Sequence, residues 1–180
     1  TMNNPPVNAQ NRQFHDDLTL AFDVLSDRND VRSIVLTGAG KCFSAGADIK
    51  GRASQESDLG DHWVHSRRVR ECFYSIMECR KPVIAAINGA ALGAGLAVAA
   101  SADILIASES ASVGLPEINV GLLGGGRHAM RLFSHSKTRR LMLTGQRLSG
   151  AELYRLGVVE ECVPDDDLMR AALEIAEELA

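Results

Sequence analysis

The sequence predicts an α/β fold with parallel strands. Three short runs rich in β-branched and apolar residues, at residues 31–37, 83–87 and 103–107, are typical of buried strands. Segments whose apolar residues recur at helical spacing separate these runs. Strands that alternate with helices along the chain favour crossover connections, which place the strands parallel to one another.

The composition is typical of one globular domain. Apolar residues make up 46% of the 180 residues and charged residues 23%, which excludes the disordered and fibrous classes. A chain of this length buries roughly 70% of its unfolded surface, which is enough to form a core. Because the sequence has no internal repeat, low-complexity tract or long linker, we expect a single domain over residues 1–180.

Charge and hydropathy argue against two classes of partner. The formal net charge is −4 and the basic residues are mostly scattered, so the surface lacks the basic patch that nucleic acid requires. The longest apolar run, residues 89–100, is Ala- and Gly-rich and much shorter than the roughly 20 residues of a membrane span. Residues 1–6 have no signal-peptide pattern. We therefore expect a cytoplasmic protein without nucleic-acid or membrane partners.

Groups that could bind metals are interpreted as structural. The four cysteines, which form no Cys-x-x-Cys pair and are expected to be reduced core thiols, are Cys42, Cys72, Cys79 and Cys162. The run Asp165-Asp166-Asp167 precedes a helix, where acids usually act as caps. His15 and His135 are interpreted as surface histidines. His62 and His65 are interpreted as part of a solvated helix start. No metal site is predicted.

The first third of the chain predicts a helix, a strand and a loop. Apolar residues recur at helical spacing over residues 14–27, with Asp16 and Asp17 in the first turn, where acids suit the helix dipole. The strand at residues 31–37 leads directly into a glycine loop. Residues 51–61 are polar and contain two glycines, so they are expected to form a loop.

The remaining elements alternate between helix and strand. A helical pattern over residues 63–79 stops at Lys81-Pro82, because proline cannot continue a helix. The later predicted elements are a strand at 83–87, a short Ala-rich helix, a strand at 103–107, helical stretches to 133 and over 137–143, a short helix after 149, a strand at 158–163 and a final helix from about 165.

Two glycine-flanked segments that follow strands are the candidates for ligand binding. They are Phe43-Ser44-Ala45-Gly46-Ala47-Asp48-Ile49-Lys50 and Asn88-Gly89-Ala90-Ala91-Leu92-Gly93-Ala94-Gly95. Small residues let a ligand approach the backbone, and N–H groups at a strand-to-helix turn point outward. Two such segments could bind one oxyanion. Without further context, the second segment reads better as a tight turn than as a dinucleotide-binding loop, because its third glycine is missing.

Several stretches of the chain match one family in identity, order and spacing. They are residues 43–50, 81–89, 91–95, 101–104, 114–121, 143–145, 151–152 and 157–159. Through these stretches the chain resembles the enoyl-CoA hydratase/isomerase (crotonase) superfamily over nearly its whole length. The resemblance is specific at the level of the family and says little about the substrate.

The resemblance implies an architecture and an assembly. The expected fold is a crotonase-like spiral of β-β-α turns with flanking helices, assembled as a homotrimer or a dimer of trimers. Relatives extend further at both ends, so the chain is expected to lack an N-terminal strand and the C-terminal trimerisation helices. No permanently bound cofactor is implied, because coenzyme A enters as part of the acyl-CoA or enoyl-CoA substrate.

The resemblance also assigns catalytic roles. The family's oxyanion-hole N–H donors fall on Ala47 and Ala94, and an acid/base position falls on Glu117. Removing a proton next to a thioester carbonyl places negative charge on its oxygen, and one preorganised donor there is worth about 10²–10³ in rate. Because apolar residues flank Glu117, we expect its carboxyl to be partly desolvated and its pKa raised.

Further substrate contacts are expected, seven from the same resemblance and His128 from a departure that is described below. The residues are Ala45, Gly46, Asp48, Ile49, Lys50, Gly93, Pro116 and His128. The ammonium of Lys50 and the backbone of Ala45 and Gly46 suit a polyanionic, hydrogen-bonding coenzyme A. Asp48 resembles a carboxylate that shapes its loop rather than one that moves a proton.

Two departures from the family pattern bear on the reaction. Ala97 stands where hydratases with two glutamates carry the second one, which favours isomerase-like chemistry by a single carboxylate. Arg127 and His128 replace small residues in a glycine-rich run. Either could contact a polar acyl group or supply a second proton-transfer group.

Three functions therefore stay open from the sequence. The first is hydration or double-bond isomerisation of an enoyl-CoA. The second is decarboxylation or C–C cleavage of a CoA thioester on the same scaffold. The third is a catalytically silent acyl-CoA-binding subunit, which Ala97 supports and the presence of Glu117 opposes.

Overall fold

The structure is a computed structural model that describes residues 1–49 and 59–180. Its helices and strands, in chain order, are α1 (Arg12–Asp27), β1 (Ile34–Leu36), β2 (Cys42–Ser44), α2 (Leu59–Met77), β3 (Val83–Ile87), β4 (Ala90–Leu92), α3 (Ala94–Ala99), β5 (Ile104–Ser108), β6 (Ser112–Gly114), α4 (Gly126–Ala129), α5 (His135–Thr144), β7 (Arg147–Ser149), α6 (Gly150–Arg155), β8 (Cys162–Val163) and α7 (Leu168–Glu178). Two 3-10 helices, Pro116–Val120 and Asp165–Asp167, precede α4 and α7.

The strands form two sheets, and strands β1 to β6 belong to the two sheets alternately. The strand order is β1-β3-β5-β8 in one sheet and β2-β4-β6-β7 in the other. All neighbouring strands are parallel except β6 and β7, which are antiparallel. The first three strand pairs, β1-β2, β3-β4 and β5-β6, thus each contribute one strand to each sheet before the chain enters a helix, whereas α6 separates β7 from β8. This arrangement confirms the predicted α/β class and the predicted β-β-α spiral.

Strand β3 lies at the centre of the core. All five of its residues are buried, as expected for a central parallel strand covered on both faces. Its side chains alternate between two apolar clusters, because successive side chains of a strand point to opposite faces. Val83, Ala85 and Ile87 belong to the main cluster, whereas Ile84 and Ala86 pack with α7.

Helix α1 begins earlier than the sequence predicts. The side chain of Asn11 caps it by accepting a hydrogen bond from the N–H of Phe14 at 2.8 Å. Asp16 and Asp17 therefore lie in the second turn, and the predicted role of these acids at the helix dipole is wrong. Asp16 instead forms an ion pair with Arg68 of α2, with 2.6 Å between the Arg68 Nε and Asp16 Oδ1 atoms.

Two strands are shorter than predicted. Strand β1 begins at Ile34, opposite Val83 of β3, because Pro82 just before that partner has no N–H to extend the ladder. Strand β8 covers only Cys162–Val163 of the predicted residues 158–163. The residues just before β8 form turns and bends, and Gly157 among them has a φ of +68°.

The prediction that the run of three aspartates caps the last helix is also wrong. Asp167 occupies the N-cap position of α7, but its side chain makes no capping hydrogen bond. Asp165 instead accepts a hydrogen bond from the N–H of Ser110 at 3.1 Å, which ties the 3-10 helix to the turn after β5. The four cysteines are free thiols, two of them buried and two partly buried.

The described part of the chain was also searched for membrane and metal features. Within residues 1–49 and 59–180, no helix combines the length and apolar character needed to cross a membrane. Over the same residues, no three His, Cys, Asp or Glu side chains gather as metal ligands would.

Candidate active site

The first glycine-flanked segment leaves β2 and is held by Gln10. The N–H of Gln10 donates to the carbonyl of Gly46 at 2.8 Å, and the N–H of Asp48 donates to the carbonyl of Gln10 at 3.0 Å. Gly46 has a φ of +92°, and a Cβ atom there would lie 2.6 Å from the carbonyl oxygen of Leu92. Glycine is therefore required at this position, and the exposed Ala47 follows it.

The second segment ends β4 and begins α3 directly beside the first. A Cβ atom on Gly46 would lie 3.3 Å from the amide nitrogen of Ala94. Strands β2 and β4 are parallel, and Ser44 pairs with Ala91. Ala47 and Ala94 each lie three residues beyond this pair. The structure therefore brings the two predicted donor segments together at one edge of the sheet.

The amide groups of Ala47 and Ala94 are open to an acceptor. Within residues 1–49 and 59–180, neither N–H donates to another protein group. Ala94 is the first residue of α3, so its N–H has no partner inside the helix. Helix α3 has only six residues, so the two N–H groups themselves, rather than a long helix dipole, are what the site presents to an anion.

The carboxyl group of Glu117 lies over the second segment. A Cβ atom built on Gly93 would lie only 2.6 Å from Oε1 of Glu117. Cβ atoms built on Gly124 and Gly125 would each lie 3.9 Å from the same oxygen. Three glycines therefore surround this side of the carboxyl, and no side chain of theirs separates it from the backbone beside Ala94.

The surroundings of Glu117 favour its neutral form. Burial raises the pKa of Glu117 above its ordinary value, and a hydrogen bond from its own backbone opposes this effect in part. The Oε2 atom is buried and has no hydrogen-bond partner among the described residues. A carboxyl with a raised pKa and a free oxygen is suited to accept and return a proton near neutral pH.

His128 presents a second buried polar atom without a partner. Its ring packs edge-on against Phe73 of α2, with 4.7 Å between ring centroids. Its Nδ1 atom is buried and unpaired within the described part of the chain. Burial, followed by the charges of Arg131 and Arg127, lowers the pKa of His128. The lowered pKa favours the neutral form of the imidazole.

The other predicted substrate contacts lie around the two segments. Ala45 and Ile49 are exposed, whereas Asp48 and Pro116 are half-buried. Lys50, predicted to contact coenzyme A, lies outside the described residues. The binding roles of all these residues stay predictions.

Helix α3 supplies no acid to the site. Ala97 is only 2% exposed and belongs to the main apolar cluster. Its carbonyl accepts a hydrogen bond from the hydroxyl of Ser101 at 2.8 Å. Ala97, which the resemblance aligns with the second carboxylate of two-glutamate hydratases, is therefore an apolar part of the core.

The interpretation of His15 as a surface histidine is wrong. The side chain is 1% exposed, and its Nε2 atom lies 3.3 Å from Oε1 of Gln10. Burial, followed by the charge of His65, lowers the pKa of His15 to about 4. The signal was present in the sequence, since His15 lies three residues before Leu18 and seven before Phe22, on the buried stripe of α1.

A separate cavity, away from Glu117, is not a candidate for the active site. It has a volume of about 530 Å³ and lies between α1, β1 and residues 1–4. Apolar side chains such as Phe14, Leu18 and Leu36 form much of its wall. Neither of the unpaired polar atoms of Glu117 and His128 belongs to its lining.

Comparisons with known proteins identify the family of the chain. The enoyl-CoA hydratase/isomerase family model matches residues 1–180. The (7aS)-7a-methyl-1,5-dioxo-2,3,5,6,7,7a-hexahydro-1H-indene-carboxyl-CoA hydrolase of Mycobacterium tuberculosis is 37% identical over 181 residues, which cover 100% of this chain and 72% of that protein. A Dictyostelium discoideum protein named "Probable enoyl-CoA hydratase, mitochondrial" is 36% identical over 184 residues, which cover 100% of this chain and 65% of that protein.

A solved structure shows the same likeness. The enoyl-CoA hydratase from Bacillus anthracis superposes with a TM-score of 0.88 at 34% identity, covering 96% of this chain and 68% of that one. The chain thus spans about two thirds of the length of the relatives that it matches.

Proposed function

We propose that this chain, which belongs to the enoyl-CoA hydratase/isomerase family, acts on an enoyl-CoA thioester by stabilising an enolate. In this proposal the N–H groups of Ala47 and Ala94 bind the thioester oxygen, and the carboxyl of Glu117 moves the proton. One observation carries the proposal: the Glu117 carboxyl lies directly over Gly93, next to the open N–H of Ala94.

The two N–H groups can stabilise the negative charge that the reaction creates on the thioester oxygen. When a proton leaves the carbon beside the thioester carbonyl, the electron pair moves onto the carbonyl oxygen. Donors that are already in place stabilise this oxyanion without reorganising, and each is typically worth about 10²–10³ in rate. Because the donors are backbone groups, this function does not depend on the side chains of Ala47 and Ala94.

A single carboxylate favours a shift of the double bond. Glu117 can take a proton from one carbon and return it to another, which isomerises the substrate without a second base. Hydration requires an acid and a base around the incoming water. The buried Ala97 removes the usual second carboxylate, so the neutral imidazole of His128 is the candidate for that role. We therefore favour isomerisation or a related one-base reaction and keep hydration with His128 as the variant.

The proposal includes the rest of the substrate and the assembly. Coenzyme A is part of the substrate, and the proton transfers need no other bound group. Ala45, Gly46 and Lys50 are proposed to contact it, and Ile49 lies exposed beside them. The chain would act as a single catalytic domain in a homotrimer or a dimer of trimers.

Mass spectrometry of the products tests the proposal. The full natural protein is incubated with 2-enoyl-CoA and 3-enoyl-CoA panels in deuterated water. Uptake of deuterium or a shifted double bond without added water supports the one-base reaction. A product heavier by one water supports hydration. Failure of every panel member to exchange, isomerise or hydrate would contradict the proposed function.

A second candidate has its own support. The relative from Mycobacterium tuberculosis is named as a carboxyl-CoA hydrolase. The alternative chemistry on this scaffold is therefore decarboxylation or cleavage of a C–C bond in a CoA thioester. A catalytically silent acyl-CoA-binding subunit is the alternative without chemistry, and the buried Ala97 favours it. Glu117→Gln separates these cases, because a silent subunit keeps its affinity for CoA esters and has no activity to lose.

A further inference from the structure

Four buried polar side chains gather beneath the segment that carries Ala47. They are Asn8, Gln10, His15 and Ser44, and none is more than 2% exposed. Burying polar groups is unfavourable unless they are hydrogen-bonded to one another. A cluster of this kind fixes the position of its members more strictly than apolar packing does, because each bond has a required direction.

The donor and the acceptor of each hydrogen bond in this cluster can be assigned. The hydroxyl of Ser44 donates to the carbonyl of Asn8 at 2.7 Å, so its oxygen is left as an acceptor. That oxygen accepts from Nε2 of Gln10 at 3.1 Å and from the N–H of Gly46 at 3.3 Å. The Oε1 atom of Gln10 then faces Nε2 of His15, which must carry the proton. A neutral His15 with its proton on Nε2 fits these bonds, and its Nδ1 atom is buried without a hydrogen-bond partner among the described residues.

The cluster acts on the peptide unit between Gly46 and Ala47. The carbonyl of Gly46 accepts from the N–H of Gln10 at 2.8 Å. In a planar trans peptide the carbonyl and the following N–H point in opposite directions. The N–H of Ala47 therefore points away from Gln10, toward the exposed side of the segment. A hydrogen bond to the carbonyl also polarises the N–H of the same peptide, which makes it a stronger donor.

We propose that Gln10 is a positioning residue for the oxyanion site: its side chain, through Ser44, and its main chain hold the Gly46–Ala47 peptide so that the Ala47 N–H points at the thioester oxygen. This inference rests on the proposed function of Ala47. Gln10 itself is buried beneath the segment and does not touch the substrate. Its main-chain bonds survive substitution, so the side chain's part is the bond to Ser44 that anchors the N–H of Gly46.

Two substitutions and one control test the inference in the full natural protein. Gln10→Leu removes the amide at similar volume, and Ser44→Ala removes the hydroxyl that Gln10 and Gly46 share. Gln13→Leu is the matched control, because Gln13 is exposed on α1 and donates only to Asp17. Thermal unfolding of each variant reports whether it is folded at the assay temperature.

Two readouts separate positioning from stability. The first is the split between kcat and KM on the substrate found by product mass spectrometry. The second is the infrared carbonyl band of bound hexanoyl-CoA that carries ¹³C at the thioester carbon. Hydrogen bonds donated to the thioester oxygen move this band to lower frequency. Hexanoyl-CoA is saturated, so the band is measured without a double bond to isomerise or hydrate.

The expected result is a loss of donor strength without a loss of binding. In Gln10→Leu and Ser44→Ala, kcat falls about ten- to hundredfold, which is up to the effect of one misdirected donor, and KM changes less than about threefold. The carbonyl band moves back toward its frequency in free hexanoyl-CoA. Gln13→Leu behaves as the wild type in both readouts.

Two other results overturn the inference in distinguishable ways. A shifted band in the wild type that stays unchanged in both cluster variants, whether or not they melt earlier, means that the cluster is only structural, and the proposed function then stands. If the wild type itself neither binds hexanoyl-CoA nor shifts its carbonyl band, the proposed function fails together with this inference.

Discussion

The Oε1 atom of Glu117 lies 2.6 Å from the point that a Cβ atom on Gly93 would occupy. Side chains of folded proteins do not approach one another so closely, so glycine is the residue that fits beneath this carboxyl. The same glycine has a φ of +55°, which other residues rarely adopt. One missing methyl group thus sets both the turn of the backbone and the place of the carboxyl.

We expect Gly93→Ala to lose activity far beyond its effect on stability. The new methyl group displaces the Glu117 carboxyl, so kcat should fall about 10²-fold or more, within the range for loss of a general base. Gly157→Ala is the matched control, because Gly157 has a similar φ of +68° but open space around it. Gly157→Ala should lose about 1 kcal/mol of unfolding free energy, measured in urea, and Gly93→Ala should lose more, because its ψ of −118° lies outside the left-handed helical region and its new methyl group meets the carboxyl. Equal kcat values in the two variants would contradict the proposed position of the carboxyl.

Glu117→Gln should remove proton transfer and leave binding intact. The amide keeps the size of the side chain but has no basic oxygen, so kcat should fall about 10²–10⁴-fold with little change in KM. Steady-state kinetics and deuterium exchange check this result. Glu161→Gln, at an exposed glutamate, should behave as the wild type. Because burial raises the pKa of Glu117, wild-type kcat/KM should fall as pH drops through that raised pKa, where the base becomes protonated.

His128→Phe tests the second proton-transfer group. Phenylalanine keeps the ring contact with Phe73 and removes the unpaired nitrogen. If His128 takes part in the reaction, turnover should fall about 10²-fold, while the exchange of the substrate proton next to the carbonyl continues through Glu117. Kinetics and deuterium exchange are measured together. Unchanged turnover in both His128→Phe and Arg127→Ala would leave Glu117 as the only proton carrier.

His15 should make the protein less stable in acid. Its pKa is lowered to about 4 in the folded chain, from an ordinary value of 6.5. Between these two values the unfolded chain binds more protons than the folded chain. The free energy of unfolding is therefore unaffected by His15 above pH 6.5 and decreases as the pH falls toward 4. Urea unfolding at pH 7 and pH 4 should show that the wild type loses about 3 kcal/mol more than His15→Gln.

A control at the surface isolates this effect. His135 is exposed at the start of α5, so His135→Gln should follow the wild-type curve of stability against pH. If His15→Gln loses as much stability in acid as the wild type, His15 is not the titrating group.

The sequence predicted the class of the fold and the two donor segments, because both depend on local patterns. Buried strands followed by glycines can be recognised from strand propensity and turn chemistry. The length of β1 depended on a distant partner, since Pro82 before β3 limits the ladder. Such a limit becomes visible only once the strands that pair are known.

The wall around Glu117 could not be predicted in the same way. The sequence departs from the family pattern at Arg127 and His128, yet the residues of that glycine-rich run that lie beside the carboxyl are Gly124 and Gly125. Their contact with Glu117 spans a 3-10 helix and a turn, and no sequence periodicity reports the direction of such a turn. The buried cluster that includes Gln10 and His15 was not predicted, because polar residues are mostly exposed to solvent.

The parallel pairing of Ser44 with Ala91 determines what kind of change the site tolerates. Ala47 and Ala94, the proposed donors, lie the same number of residues past this pair, so the number of residues along the two strands determines where their N–H groups meet. Replacing either alanine by another small residue leaves that count unchanged. Deleting or inserting a single residue between the pair and either donor would move one N–H away from the other. The proposed oxyanion site should therefore tolerate a change of side chain at Ala47 or Ala94 but not a change in the length of either segment.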